Sequence, residues 1–187
     1  LAIAFVQRLA ARGAPPRRLP RLDLAGGVPE SARTIVVVPT LLYAADGIDT
    51  LLEDLEVRFL ANRDPQLHFA LLTDFPDAAE ESLPTDAPLL QLAQDGINAL
   101  NRTYEASADA SSDPDDAATE HSHGDIFYLL HRPRRWNPQQ QTWMGYARKR
   151  GKPGALNALL RGNSRDALSL IVGDTEVLSQ VTSRTTR

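Results

Sequence analysis

The segment from residue 132 to residue 152 carries seven basic side chains and no acidic one. It ends in Gly151 and Lys152, a Gly-Lys pair ahead of an apolar run, as in loops that bind phosphate before a helix. A helix that begins at Pro153 would turn free N–H groups and the positive end of its dipole toward an anion. Arg150 and Lys152 would then flank a diphosphate. By local chemistry alone, a solvated basic loop that offsets the preceding acidic segment is an equal alternative.

The Gly-Lys pair does not form a Walker A motif. Gly145 lies one position too far from Gly151, and Pro153 stands where that motif needs a Ser or Thr to hold magnesium. Three aromatic residues lie in the same segment: Trp136, Trp143 and Tyr146. They could stack the bases of a single-stranded nucleic acid, stack a sugar ring, or fix a long loop to the core.

Polar residues follow three predicted strands at their carboxyl ends. Pro39 and Thr40 end the first, Asp74 ends the second, and His131 with Arg132 ends the third. In open parallel sheets, ligands bind in a crevice beyond these ends. There, Asp74 would accept hydrogen bonds from the N–H of a base or from ribose hydroxyls. Alternatively it only caps the local turn, as Asp often does after a strand.

The strands are predicted from short apolar runs without polar alternation, which are typical of strands buried on both faces. The runs are "TIVVVPT", "LHFALLTD", "DIFYLLH" and "ALSLIVGD". Because they alternate with helical segments, we predict an α/β fold with a mostly parallel sheet, right-handed crossovers and flanking helices.

Two amphipathic helices are predicted between the first three strands, and a third over residues 153–161. Asp46 or Asp49 is expected to cap the first and Asp86 the second, which has Pro88 in its first turn. Each has an apolar stripe at helical spacing. The stripes consist of Ile48, Leu51, Leu52, Leu55 and Phe59, and of Leu89, Ala93, Ile97, Leu100 and Tyr104.

Composition limits the possible functions. The 187 residues are 42% hydrophobic and 24% charged, as expected for a single globular domain. The balance of 20 basic to 24 acidic residues argues against a nucleic-acid binder driven by charge, and the lack of cysteine excludes thiolate metal sites. No pattern specifies a hydrolase. Residues 105–124 are acidic and of low complexity, which predicts a mobile loop; its pair His121 and His123 is too small a ligand set for a metal.

The opening "LAIAFVQRLAARG" is predicted to be the end of a longer hydrophobic helix, followed by a Pro/Gly-rich connector up to residue 33. The chain would then be a piece of a larger protein, with its globular part at residues 34–187.

The run "GKPGALNALL" resembles the segment before the metal-binding strand of family 2-type processive glycosyltransferases, where Gly-Lys-x-Gly-Ala-Leu-Asn is common. Longer blocks resemble the glycosyltransferase domain of cyclic β-1,2-glucan synthases (family 84-type). They are "PPRRLPRLDLAGGVPESARTIVVVPTLL", "LEVRFLANRDPQLHFALLTDF", "LLHRPRRWNPQQQTWMGYARKRGKPGALNALLRG" and "IVGD". Because "EVRFLANRDP" and "HRPRRWNP" are long and unusual, they carry more weight than any short motif.

This resemblance implies the Rossmann-like N-terminal half of a GT-A glycosyltransferase domain in a multi-pass enzyme of the bacterial inner membrane. The enzyme would polymerise glucose from UDP-glucose into β-1,2-glucan on the cytoplasmic side. By analogy, Pro39 and Thr40 would line the uridine pocket, Asp74 would meet the uracil, and Lys152 and Asn157 would lie near the phosphates and ribose.

The resemblance also sets the expected partners. UDP-glucose, a β-1,2-glucan acceptor, other domains of the same chain and the membrane are expected, and nucleic acid is not. The Mg or Mn ion of the intact enzyme would bind an Asp-x-Asp motif expected beyond "IVGDTEVLSQV", so we predict a catalytically incomplete fragment with no metal site. Asp174 lacks a second acid at the right spacing. The alternative is a non-catalytic α/β module that binds nucleotide or single-stranded RNA through residues 132–152.

Overall fold

A four-stranded sheet with the order β1-β2-β3-β6 organises the part of the chain that the computed structural model describes, namely Ile3 and residues 26–109, 124–162 and 166–181. Two further strands form a separate antiparallel hairpin. The strands are β1 (Thr34–Leu41), β2 (Leu67–Asp74), β3 (Phe127–Arg132), β4 (Arg135–Asn137), β5 (Thr142–Met144) and β6 (Leu170–Val172).

The first three strands are parallel, in the order β1-β2-β3. One helix connects β1 to β2 and a second connects β2 to β3, so the predicted α/β fold with a mostly parallel sheet and flanking helices is confirmed, and the architecture is Rossmann-like. The strand predicted in "ALSLIVGD" is observed as β6. β6 is short and pairs antiparallel with β3, from Leu129 opposite Val172 to His131 opposite Leu170.

Four α-helices are described: α1 (Ala45–Ala61), α2 (Asp86–Asp109), α3 (Arg148–Leu160) and α4 (Thr175–Gln180). Helices α1 and α2 pack against each other and against the sheet. Their predicted stripes form the core on that face, where Ile48, Leu55 and Ile97 are almost fully buried. The rings of Phe59, Phe69 and Phe127 meet there edge to face or tilted.

The predicted caps differ from those observed. Helix α1 begins after Ala44, whose side chain cannot cap, so neither Asp46 nor Asp49 is the N-cap. Asp86 is the first residue of α2, and its carboxylate accepts hydrogen bonds from the Leu83 N–H and from Arg134. An ion pair therefore holds this acid in place of a capping bond within the helix.

Residues 132–151 are more ordered than the irregular segment that the sequence predicts. Strands β4 and β5 pair within it, and α3 begins at Arg148, so Pro153 lies inside the helix rather than at its start. The predicted set of free N–H groups beginning at Pro153 is accordingly wrong. The Gly151 N–H already donates to the Ala147 carbonyl in the first turn.

The predicted mobile loop overlaps α2, which continues to Asp109; residues 110–123, including His121 and His123, lie outside the described residues. The hydrophobic start at residues 1–25, apart from Ile3, also lies outside them. Within the described ranges, none of the helices has the length and apolar character that crossing a bilayer requires.

Candidate functional site

An open cleft of about 680 Å³ lies at the carboxyl ends of β1 and β2. Its walls are mostly apolar, and the charged residues that line it are Asp74, Asp77 and Lys152. The lining residues are Pro39, Leu41, Tyr43, Asp74, Phe75, Pro76, Asp77, Gly145, Lys152 and Pro153. The cleft occupies the crevice at which parallel α/β sheets bind ligands.

Asp74 is held by a two-pronged ion pair with Arg132. The Arg132 Nε donates to Asp74 Oδ1 at 2.7 Å, and Nη2 donates to Oδ2 at 2.9 Å. Asp74 and Arg132 are register partners at the ends of neighbouring parallel strands, so their side chains leave the sheet on the same face. Both are nearly fully buried. This geometry fixes the orientation of the carboxylate at the base of the cleft.

Lys152 reaches the same carboxylate from helix α3. Its Nζ lies 3.6 Å from Asp74 Oδ2 and donates a hydrogen bond to the Thr40 carbonyl oxygen. Burial lowers the pKa of Lys152, and the neighbouring Asp74 offsets that effect only in part. When Arg132 and Lys152 are both protonated, two cations face the single carboxylate of Asp74. Asp74, Arg132 and Lys152 form a charged trio, and Asp77 adds a second carboxylate to the cleft lining.

Two glycines allow the backbone to approach this trio. A Cβ atom on Gly145 would overlap Asp74 Oδ2, and one on Gly151 would overlap the Tyr146 carbonyl and crowd Arg132 Nη1. The Arg132 Nη1 also donates to the Tyr146 carbonyl at 3.2 Å. Gly145 and Gly151 therefore allow the backbone to lie close to the Asp74–Arg132 ion pair. They do not form a phosphate-binding loop.

A second buried ion pair supports the cleft wall. Arg134 donates through Nη2 to Asp86 Oδ1 at 3.1 Å and through Nη1 to Oδ2, while its Nε donates to the Pro76 carbonyl at 2.6 Å. Its guanidinium lies 5.0 Å from the centre of the Phe75 ring. One arginine therefore joins helix α2 to the segment that lines the cleft.

His131 packs behind this wall as a neutral, buried imidazole. Its Nδ1 is 2.8 Å from the hydroxyl of Thr73, and its ring lies 4.4 Å from that of Phe75. Burial lowers the pKa of His131 from 6.5 to about 4, against the opposing influence of Asp74 and Asp86.

The buried His131 predicts a pH-dependent loss of stability. Between pH 6.5 and about 4 the unfolded chain binds a proton at His131 that the folded chain excludes. Stability should therefore fall as pH drops through this window, by at most about 3 kcal/mol. Urea unfolding across the window should show a shallower decline in His131→Asn, which cannot titrate. Because His68, whose pKa is also lowered by burial, remains in both proteins, parallel curves would contradict this assignment.

The structure brings together four of the six residues predicted from the sequence. Pro39, Asp74 and Lys152 line the cleft, and Thr40 joins them through its carbonyl group. Arg150 and Asn157 are exposed and are not among the lining residues. Asn157 lies five positions after Lys152 in the helix, which places the two side chains about 140° apart around the helix axis.

The sequence reasoning did not identify Arg132 as the partner of Asp74 or Arg134 as the partner of Asp86. A signal for the first pair was present. When the apolar runs "FALLTD" and "FYLLHR" are aligned at their first Phe, Asp74 falls beside Arg132 and Thr73 beside His131, as in the observed register. The second pair spans 48 residues of sequence and has no such signal.

The described residues do not fit a divalent metal. No group of three or more His, Asp or Glu side chains lies together within the described ranges. Asp174 accepts a hydrogen bond from the Glu176 N–H at 2.8 Å and caps α4. Asp74 already pairs with two cations. No catalytic step is therefore derived through a metal.

The basic segment offers less positive charge to solvent than its sequence suggests. Arg132, Arg134 and Lys152 are buried and are engaged with Asp74 and Asp86. Phosphate-driven binding of nucleic acid needs exposed cations. Three of the seven basic residues in the segment 132–152 are therefore not available to contact RNA phosphates, which weakens the RNA-binding alternative.

Taken together, the mostly parallel sheet and the cleft at its carboxyl edge define an α/β domain with a candidate ligand site that contains Asp74 and Lys152. The sequence of the chain is similar to a segment of a curated protein. The chain is 41% identical over 150 residues to the cyclic beta-(1,2)-glucan synthase NdvB of Rhizobium meliloti (strain 1021). This match covers 80% of the chain and 5% of the synthase, and it supports homology to a segment of that protein. No protein-family model matches the chain.

Proposed function

We propose that this chain is the donor-binding part of a GT-A-like glycosyltransferase domain in a cyclic β-1,2-glucan synthase, and that it binds UDP-glucose. Two findings support this proposal: the homology to NdvB, and the cleft at the carboxyl ends of β1 and β2. The observation that carries it is the placement of Asp74 and Lys152 together at the base of an apolar cleft.

The chemistry of this pair suits a uracil ring. A carboxylate accepts hydrogen bonds only, so Asp74 would accept the N3–H of uracil, and Lys152, a pure donor, would donate to a uracil carbonyl oxygen. The exposed ring of Tyr43 and the prolines of the wall offer apolar contact to the flat faces of the base. Arg150 and Asn157 remain the candidates for contacts with the phosphates and ribose, although neither side chain is among the residues that line the cleft.

In the intact enzyme the glucosyl group would pass from UDP to a hydroxyl of the growing β-1,2-glucan. The residues described here would bind and orient the donor and exclude water from the base. Mg or Mn and the general base would be supplied by residues outside this chain, which makes the fragment catalytically incomplete. The domain would lie on the cytoplasmic side of a bacterial inner membrane.

Calorimetric titration with UDP-glucose, UDP and a short RNA tests this function. We expect both uridine ligands to bind and the RNA not to bind. Lys152→Met should weaken UDP binding by roughly tenfold or more, because a hydrogen bond to a charged group contributes about 1.5–3 kcal/mol. Tyr43→Ala should also weaken it, because the change removes an apolar contact to the base. Val57→Ala, which removes an exposed apolar side chain on α1, should leave it unchanged.

Arg150→Ala and Asn157→Ala test the proposed phosphate and ribose contacts. Both side chains are exposed, so these variants should fold normally. Binding of RNA with no response to UDP would overturn the proposed function. So would UDP binding that is equally strong in Lys152→Met, Tyr43→Ala and Val57→Ala.

A further inference from the structure

The β4–β5 hairpin carries an exposed aromatic surface next to the cleft. Trp136 and Trp143 are register partners on the two strands, and their ring centres lie 5.8 Å apart. Trp143 is half-buried and supports Trp136, which leaves 48% of its surface exposed. Trp136 therefore contacts the ring of Trp143 while part of its own ring stays open to solvent.

Hydrogen bonds fix the hairpin to the cleft wall. The Trp143 N–H donates to the Ala78 carbonyl at 3.0 Å, and the Ala78 N–H donates back at 2.9 Å. The Thr142 hydroxyl donates to the same carbonyl at 3.0 Å. Ala78 directly follows Pro76 and Asp77, which line the cleft. A ligand on Trp136 would therefore lie on the structure that forms one side of the donor site.

The hairpin that carries Trp136 also exposes polar side chains. The turn between the two strands exposes three consecutive amide side chains, Gln139, Gln140 and Gln141. Of the nearby arginines, Arg134 is buried against Asp86, and Arg135 donates to the Asp166 carbonyl. A half-exposed tryptophan ring in a hairpin whose turn carries amide side chains matches a pyranose, which has an apolar face and a rim of hydroxyls. It matches neither a phosphate backbone nor an extended apolar protein surface.

We propose that Trp136 is a stacking platform for a glucose ring of the β-1,2-glucan chain, outside the nucleotide cleft. The nature of the saccharide rests on the proposed function. The stacking itself rests on the hairpin geometry. One pyranose face would lie on the Trp136 ring, and its hydroxyls would bond to the amides of the turn.

NMR of the 15N-labelled 187-residue chain tests the platform directly. The chain has two tryptophans, so two indole N–H signals are expected, and a Trp136→Ala variant assigns them. Titration with a short linear β-1,2-glucan oligosaccharide should shift the Trp136 signal in a saturable manner. Trp136→Ala should weaken binding by about tenfold or more, as the loss of a stacking ring does for other flat ligands. Val57→Ala should bind as the parent does.

Separate titration with UDP distinguishes this proposal from the donor site. Trp136→Ala should bind UDP with unchanged affinity. An unshifted Trp136 signal at saturating saccharide in a folded chain that binds UDP overturns the platform alone. A saccharide response in a chain that ignores UDP overturns the donor site and supports the platform. A Trp136 shift with a short RNA and none with the saccharide also overturns the platform.

Discussion

Replacing Arg132 by methionine should lower the free energy of unfolding by about 3–5 kcal/mol, because it leaves the carboxylate of Asp74 buried without its main partner. Arg132 makes two hydrogen bonds to Asp74 and one to the Tyr146 carbonyl. Lys152 lies farther from the carboxylate and cannot replace a two-pronged contact. Urea denaturation followed by circular dichroism measures the loss.

Two further variants make this expectation specific. Arg135→Met alters an exposed arginine three residues away and should change stability by about 0.5 kcal/mol or less. The double variant Asp74→Leu/Arg132→Met removes both members of the ion pair and should recover part of the loss, while buried Lys152 keeps only the Thr40 carbonyl as a partner. If Arg132→Met destabilises no more than Arg135→Met, the buried ion pair does not hold the strand ends as described.

Replacing Arg134 by methionine should also be costly, again by about 3–5 kcal/mol. This change leaves Asp86 unpaired and removes the donors to the Pro76 and Glu81 carbonyls. In the native chain burial raises the pKa of Asp86, but the hydrogen bonds from Arg134 and the Leu83 N–H outweigh it and lower that pKa. Without Arg134 the pKa of Asp86 should rise above its native value.

Unfolding and the carboxyl titration of Asp86 by NMR measure this second effect. Because the native pKa of Asp86 is lowered, the stability it provides is present above the unfolded pKa of 3.8 and is lost as pH falls below it. In Arg134→Met, Asp86 should no longer cause a loss of stability as the pH falls below 3.8, because the partner that lowers its pKa is gone. Arg134→Lys keeps the positive charge but loses the planar set of guanidinium N–H donors. It should therefore recover only part of the stability that Arg134→Met loses. An Asp86 titration that is unchanged in Arg134→Met would contradict the pairing.

The sequence predicted the parts of the fold that local pattern controls. The apolar runs that became β1, β2 and β3 and the stripes of α1 and α2 depend on periodicity alone. The direction of β6 could not be predicted, because three residues, Leu170–Val172, pair with β3 through a contact distant in sequence. The start of α3 was placed too late because Pro153 usually marks a first turn.

The candidate site was predicted only in part for the same reason. Strand ends are local features, so Asp74 and Thr40 could be placed at the crevice from the sequence alone. Lys152 was predicted as a site residue from the Gly-Lys pair. Its approach to Asp74 depends on the earlier start of α3. The Arg134–Asp86 pair and the β4–β5 hairpin depend on tertiary contacts that no short pattern encodes.

Comparison of UDP with CDP is the most direct test of the nucleotide cleft. The two ligands share ribose and diphosphate, but cytosine lacks the N3–H that Asp74 would accept and replaces a carbonyl near Lys152 with an amino donor. A site built to hydrogen-bond one such edge rejects the other strongly. Calorimetry on the 187-residue chain should therefore show UDP binding at least roughly tenfold tighter than CDP, with a preference that becomes smaller in Lys152→Met, where only Asp74 still distinguishes the two bases. Equal affinities for UDP and CDP, or no binding of UDP at millimolar concentration, would contradict the account.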